Sequence, residues 1–166
     1  MFIARGPAGD FDDLYAIGIS PVVVGDEWFF YYMGCSFPHD EGYEKETKRE
    51  GSIGLARLRL DGFVSLFSLR DSGAALITRP LRFTGDEMFV NCRTNKGWLC
   101  LELQDLTGKP IAGFAEPDCD KITTDSVRQL VTWKGRSDVA ARSRRLVKVK
   151  FIFGDGELFS FGFAKG

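Results

Sequence analysis

The chain has 166 residues, 44% of them hydrophobic and 27% charged, with 22 basic and 23 acidic side chains. This composition excludes a disordered chain. A net charge of −1 excludes the extended basic surface that nucleic-acid binding needs. No run is long and apolar enough to span a membrane as a helix, and residues 1–10, MFIARGPAGD, lack the apolar core and cleavage site of a signal peptide. Membrane partners are therefore not expected, and cellular location stays open.

Residues 1–15 read as a loop rich in Gly, Pro and Asp. Asp10, Asp12 and Asp13 suit Asx turns and caps, because Asp is a default turn residue. A catalytic or sugar-binding role is the sharper alternative. Residues 20–34, SPVVVGDEWFFYYMG, read as a hairpin: Val22–Val24, a turn at Gly25-Asp26, then a second strand over 27–33. That second run is aromatic from Trp28 to Tyr32. Both of its faces must be covered, or one opens onto a binding cleft. A two-stranded hairpin cannot cover both faces alone.

His39, the only histidine, follows this strand and is a candidate acid, base or sugar hydrogen-bond partner. Residues 40–50 are charged and read as an exposed loop. Residues 52–66, SIGLARLRLDGFVSL, read as strand, tight turn and strand, with the turn at Asp61-Gly62.

Beyond this point the pattern is regular. Strands are expected at 75–83, 87–93, 98–104, 109–114, 127–133, 146–153 and 157–163, separated by Gly-containing turns. Leu99, Leu101 and Leu103 share one face. So do Val147, Val149, Phe151 and Phe153, and likewise Phe159, Phe161 and Phe163. Short alternating strands at this spacing indicate an all-β sandwich or barrel. Only 137–145 reads as helical, for a turn or two, with Ser137 or Asp138 as its cap.

None of the four cysteines forms a CxxC pair, so zinc is not expected. Cys92 and Cys100 fall in neighbouring strands and could be close, but both are flanked by apolar residues and read more simply as buried free thiols. No phosphate loop, Ser-His-Asp order or metal-binding His pair is present, and no cofactor is expected. The acidic loop EPDCDKITTD could hold a structural calcium through Asp118, Asp120 and Asp125. Its spacing is not that of an EF-hand, and caps and turns explain it more cheaply. The basic run 142–150 is expected to be a solvated strand face.

The segments PVVVGDEWFFYYMG (21–34) and IGLARLRLDGFVSL (53–66), in that order, resemble the end of a five-bladed β-propeller of the glycoside hydrolase family 32-like kind, which carries a C-terminal β-sandwich. The join between the two is similar to 59–66. TRPLRF (78–83), GKPIAGF (108–114), DCDKITTDS (118–126), VTWKG (131–135) and LFSFGF (158–163) match in the same order, and FDDLY (11–15) is similar to a loop at the propeller end.

The resemblance implies an all-β chain. Residues 1–60 would be a partial propeller blade and linker, and 61–166 an antiparallel, jelly-roll-like C-terminal sandwich. It implies an accessory part of a carbohydrate-active protein, its sandwich buttressing a propeller catalytic domain largely missing from this chain. The parent would be a glycosidase. Glycoside hydrolysis needs two carboxylates flanking one bond. Those of the family lie on earlier blades, so the catalytic residues are unknown here and the chain alone is expected to be inactive. Asp12, Asp13, Tyr32 and His39 would lie near the sugar cleft.

Two other readings compete. One is a non-catalytic carbohydrate-binding module using Trp98 and Trp133 as stacking platforms, although Trp133 also fits a core position. The other is a purely structural sandwich. In that reading the aromatic strand, Trp28 to Tyr32, is left exposed and mediates self-association.

Overall fold

The structure is a computed structural model and describes residues 3–18, 20–37, 51–69 and 72–166. The chain is all-β and divides into two compact units, Met1–Leu60 and Asp61–Gly166.

The first unit is one antiparallel sheet. Its strands are β1 (Tyr15–Gly18), β2 (Val22–Val24), β3 (Glu27–Cys35) and β4 (Gly51–Arg59). β3 is central because it is the most aromatic strand and gains most from neighbours on both edges. On one edge it pairs with β4 along all nine residues without a bulge. On the other edge it pairs first with β2 and then with β1. β1 and β2 are the two halves of one edge strand. Between Gly18↔Tyr32 and Val22↔Phe29 the register slips by one residue, next to Pro21, which has no N–H for a ladder. β1 was not anticipated from the sequence.

The second unit is a sandwich of two four-stranded sheets. It contains β5 (Leu66–Ser68), β6 (Ala74–Ile77), β7 (Leu81–Arg82), β8 (Glu87–Arg93), β9 (Trp98–Gln104), β10 (Asp125–Leu130), β11 (Leu146–Gly154) and β12 (Gly156–Ala164). One sheet runs β10-β8-β12-β5. In the other, β11 is flanked by β9 on one edge and by β6 and β7 on the other. Only Asp155 separates β11 from β12, so the chain crosses from one sheet to the other there.

Alternation decides which side chains fill the space between the sheets. Met88, Val90 and Cys92 of β8, Leu99, Leu101 and Leu103 of β9, Val147, Val149, Phe151 and Phe153 of β11, and Leu158 of β12 are all buried in one cluster. Trp133, Val131, Val139, Ile122 and Phe83 complete it from the connections. Each such side chain is worth roughly 1.5–3 kcal/mol of transfer free energy.

Several expectations are corrected. Residues 52–66 are not a hairpin: β4 pairs with β3, whereas β5 pairs with β12, and Asp61 rather than Gly62 takes the positive φ (54°). The strand expected at 75–83 is broken by Pro80 into β6 and β7, again with a one-residue register slip. Residues 109–114 form no strand, because Pro110 interrupts the ladder. That segment instead follows the free edge of β9, with Ile111 N–H donating to the Leu103 carbonyl at 2.8 Å and Leu103 N–H to the Phe114 carbonyl at 2.9 Å.

Phe159 does not share a face with Phe161 and Phe163. A bulge between Leu158 and Ser160 turns it outward, where the Arg93 guanidinium lies 5.6 Å from its ring centre, while Phe161 packs on buried Phe151. Cys92 and Cys100 lie in different sheets. Cys100 instead lies beside Cys119, whose thiol accepts from Leu101 N–H at 3.2 Å. The helical expectation at 137–145 reduces to one 3-10 turn, Ala140–Arg142, with the Asp138 carboxylate accepting from Ala140 N–H at 2.7 Å.

Candidate functional site

The sequence singles out Asp12, Asp13, Tyr32 and His39, and the first unit brings two of these together. Tyr32 stands on the face of β3 shared by Phe30 and Gly34. The segment before β1 folds back over this face. Leu14 N–H donates to the Cys35 carbonyl and Gly6 N–H to the Asp12 carbonyl, fixing the loop against the sheet.

The close approach requires glycine at position 34. A Cβ there would overlap the Asp12 side chain and stand 2.6 Å from the Phe11 ring. A Cβ at Gly6 would likewise overlap the Asp12 carboxylate. Asp12 is only 6% exposed as a result. The Tyr32 hydroxyl donates to Asp12 Oδ2 at 2.7 Å, and the Phe11 ring lies nearly parallel to Tyr32, 6.3 Å between centres.

Asp12 raises the Tyr32 pKa above its usual value, chiefly by accepting its hydroxyl proton, with desolvation and carboxylate charge adding in the same direction. In this geometry the phenol is a hydrogen-bond donor to the Asp12 carboxylate. The pair fastens the loop to the sheet and gives the loop a fixed shape.

Asp13 is not part of the pair. Its Oδ2 accepts from Gly9 N–H at 2.9 Å, the local turn bond expected of Asp. His39 lies outside the described residues.

In the sandwich the three carboxylates considered for calcium go to three different partners. Asp118 pairs with Lys134 Nζ at 2.5 Å. Asp120 accepts from Thr132 Oγ1 at 2.6 Å and Gly135 N–H at 2.7 Å. Asp125 faces Arg93 Nε at 3.3 Å. Among the described residues no group of three or more His, Cys, Asp or Glu side chains converges on a point where a metal could sit. The Asp120 pKa is lowered, first by the Thr132 hydroxyl and then by the Gly135 N–H.

The two tryptophans considered as sugar platforms also have other roles. Trp133 is 1% exposed, with its indole N–H donating to the Leu101 carbonyl at 3.0 Å, so it offers no open face. Trp98 is half-buried, with the Lys121 ammonium 5.3 Å from its ring centre and Gly73 packed beside it. A hollow lined by Gly113, Phe114, Trp133, Arg136 and Asp138 encloses about 210 Å³. That is below the roughly 300–1,000 Å³ of ordinary ligand pockets.

Sequence reasoning missed the outward-facing network in which Arg93 bridges Asp125 on β10 and Glu157 on β12, at 3.3 and 2.9 Å. Its signal is the register: both acids sit directly opposite Arg93 on either side. Comparisons with protein-family models, with curated proteins and with solved structures return no match.

Proposed function

We propose that this chain is the accessory, C-terminal part of a glycoside hydrolase-like, carbohydrate-active protein, in which the sandwich supports a sugar-binding domain and does no chemistry itself. The observation that carries this reading is the contrast between the two units. The sandwich has a filled core and an inward-turned Trp133. The first unit has an aromatic strand and a loop shaped by the Asp12–Tyr32 pair. In this reading Asp12 and Tyr32 are positioning residues. They hold the loop that borders the sugar, and the two hydrolytic carboxylates belong to strands this chain lacks.

Affinity electrophoresis through gels containing plant and microbial polysaccharides tests this. The chain is expected to be retarded by one class of glycan without hydrolysing it, and Tyr32→Phe and Asp12→Asn are expected to weaken the retardation. Retardation lost in Trp98→Ala but kept in Tyr32→Phe would move the binding to the sandwich and favour a carbohydrate-binding module. Migration unaffected by every glycan would leave a purely structural sandwich, the reading that the inward-facing Trp133 also favours.

A further inference from the structure

The two faces of the first unit's sheet are unequal. On one, Phe30 and Gly34 are buried and the loop carrying Phe11 and Asp12 covers the strands. On the other, Met33 stands between Ile17 of β1 and Ile53 of β4 as direct cross-strand partners. These three are 50%, 54% and 77% exposed. Tyr31 and Leu55 are paired in the next row, and Val22 beside Phe29 in the row after it, and all three of Tyr31, Leu55 and Val22 are exposed.

Directly paired residues point to the same side of a sheet. These side chains therefore form one continuous apolar strip. It ends at Arg57, which lies over the Phe29 ring, 5.0 Å from its centre, and pairs with Glu27. The strip presents roughly 600 Å² of apolar surface, as much as the largest patch on an ordinary monomer.

We propose that this face is a homodimer interface, covered by the same face of a second copy of the chain. Two such strips in contact would remove about 1,200 Å² from water, the lower bound of standard-size specific interfaces. An apolar centre with a charged end has the layout of an interface core and rim. Two sheets packed face to face interdigitate as the layers of a sandwich do. A two-fold axis through the middle of the strip needs no second surface, because each patch meets itself. The same axis sets the Glu27–Arg57 end of one copy beside the Met33–Ile53 end of the other, so like charges stay apart. The inference does not depend on the carbohydrate reading.

Sedimentation equilibrium of the full chain, from low to high micromolar concentration, tests this with two variants whose folding is verified by circular dichroism. Ile53→Lys puts a charge at the most exposed point of the strip. Val23→Lys, at a position 51% exposed and paired with Trp28, puts the same charge on the opposite face. The expected result is a concentration-dependent dimer whose dissociation constant rises at least tenfold in Ile53→Lys and is unchanged in Val23→Lys. A monomer throughout the range would overturn the proposal. So would a dimer indifferent to Ile53→Lys, one weakened equally by both variants, or assemblies that grow beyond two.

Discussion

Leu101 and Cys119 are joined by a hydrogen bond from a backbone N–H to a thiol: Leu101 donates to Cys119 Sγ at 3.2 Å, in the place a neighbouring strand's carbonyl would occupy. The Leu101 carbonyl is met by another side chain, the Trp133 indole, at 3.0 Å. The open edge of β9 is thus completed at its centre by two side chains from irregular chain.

Trp133→Phe removes the indole donor and part of the volume beside a fully buried backbone. The expected loss is about 2–4 kcal/mol of unfolding free energy. Urea denaturation followed by circular dichroism measures it. Cys119→Ala is expected to cost about 1–3 kcal/mol through the unmet Leu101 N–H, and Cys119→Ser less, because a hydroxyl still accepts.

A parallel device operates where Pro80 breaks the strand facing β11. Thr78 N–H donates to the Val149 carbonyl at 2.9 Å, and the Thr78 hydroxyl, in place of a carbonyl, accepts from Val149 N–H at 3.0 Å. Thr78→Val keeps the shape and removes the acceptor, so it is expected to cost about 1–3 kcal/mol. Thr78→Ser is expected to remain near the parent. Faster amide exchange at Val149 in Thr78→Val alone would locate the effect.

The Asp12–Tyr32 bond has a spectroscopic signature. The folded pKa of Tyr32 is raised, so its contribution to stability is whole below the usual phenol pKa and is lost as pH rises through the higher folded value. Tyr32 is expected to ionise late in an ultraviolet absorbance titration. That late step should vanish in Tyr32→Phe and move to lower pH in Asp12→Asn. Gly34→Ala, which forces the loop away from the sheet, should also move it to lower pH.

Asp120 works in the opposite direction. Its folded pKa is lowered by the Thr132 hydroxyl and the Gly135 N–H, so its contribution is present above the usual carboxylate pKa and is lost as pH falls through the depressed value. Asp120→Asn is expected to be less stable than the parent at neutral pH, with the gap closing in strong acid. Thermal melts at a series of pH values would show it. A gap that stays constant down to the lowest pH would remove the carboxylate as its cause.

The sandwich was legible wherever strands face a dry core on one side only. Leu99, Leu101 and Leu103, and the apolar residues of β11, alternate because every second side chain points into the inter-sheet core, although Cys100, Glu102 and Gln104 on the other face of β9 are buried too, and period two survives translation into sequence. A two-residue period cannot reveal an extra residue. The bulge at Phe159 and the register slips near Pro21 and Pro80 each shift the facing of the residues beyond them, and the sequence around them still reads as alternating or extended. Strand partners were equally hidden. Asp61-Gly62 has the chemistry of a hairpin turn, yet the strands on either side pair elsewhere, because nine pairs with β3, five of them with its aromatic residues, outweigh a short local hairpin for β4. Asp12 and Tyr32 were each visible as polar groups near aromatic sequence. Their contact depends on a loop closing over Gly34, which no spacing within either segment encodes.

β12 lies inside its sheet, between β8 and β5, and pairs with residues 64 to 92 positions earlier in the chain. A growing chain on the ribosome therefore holds β5 and β8 apart, each with an unpaired edge, until residues 156–164 have emerged. Closure of this sheet waits for β12, and pairings this distant close slowly. Chaperone contact during synthesis should accordingly persist until β12 is available. A protease that clips β12 would remove the middle of a sheet, not fray its edge.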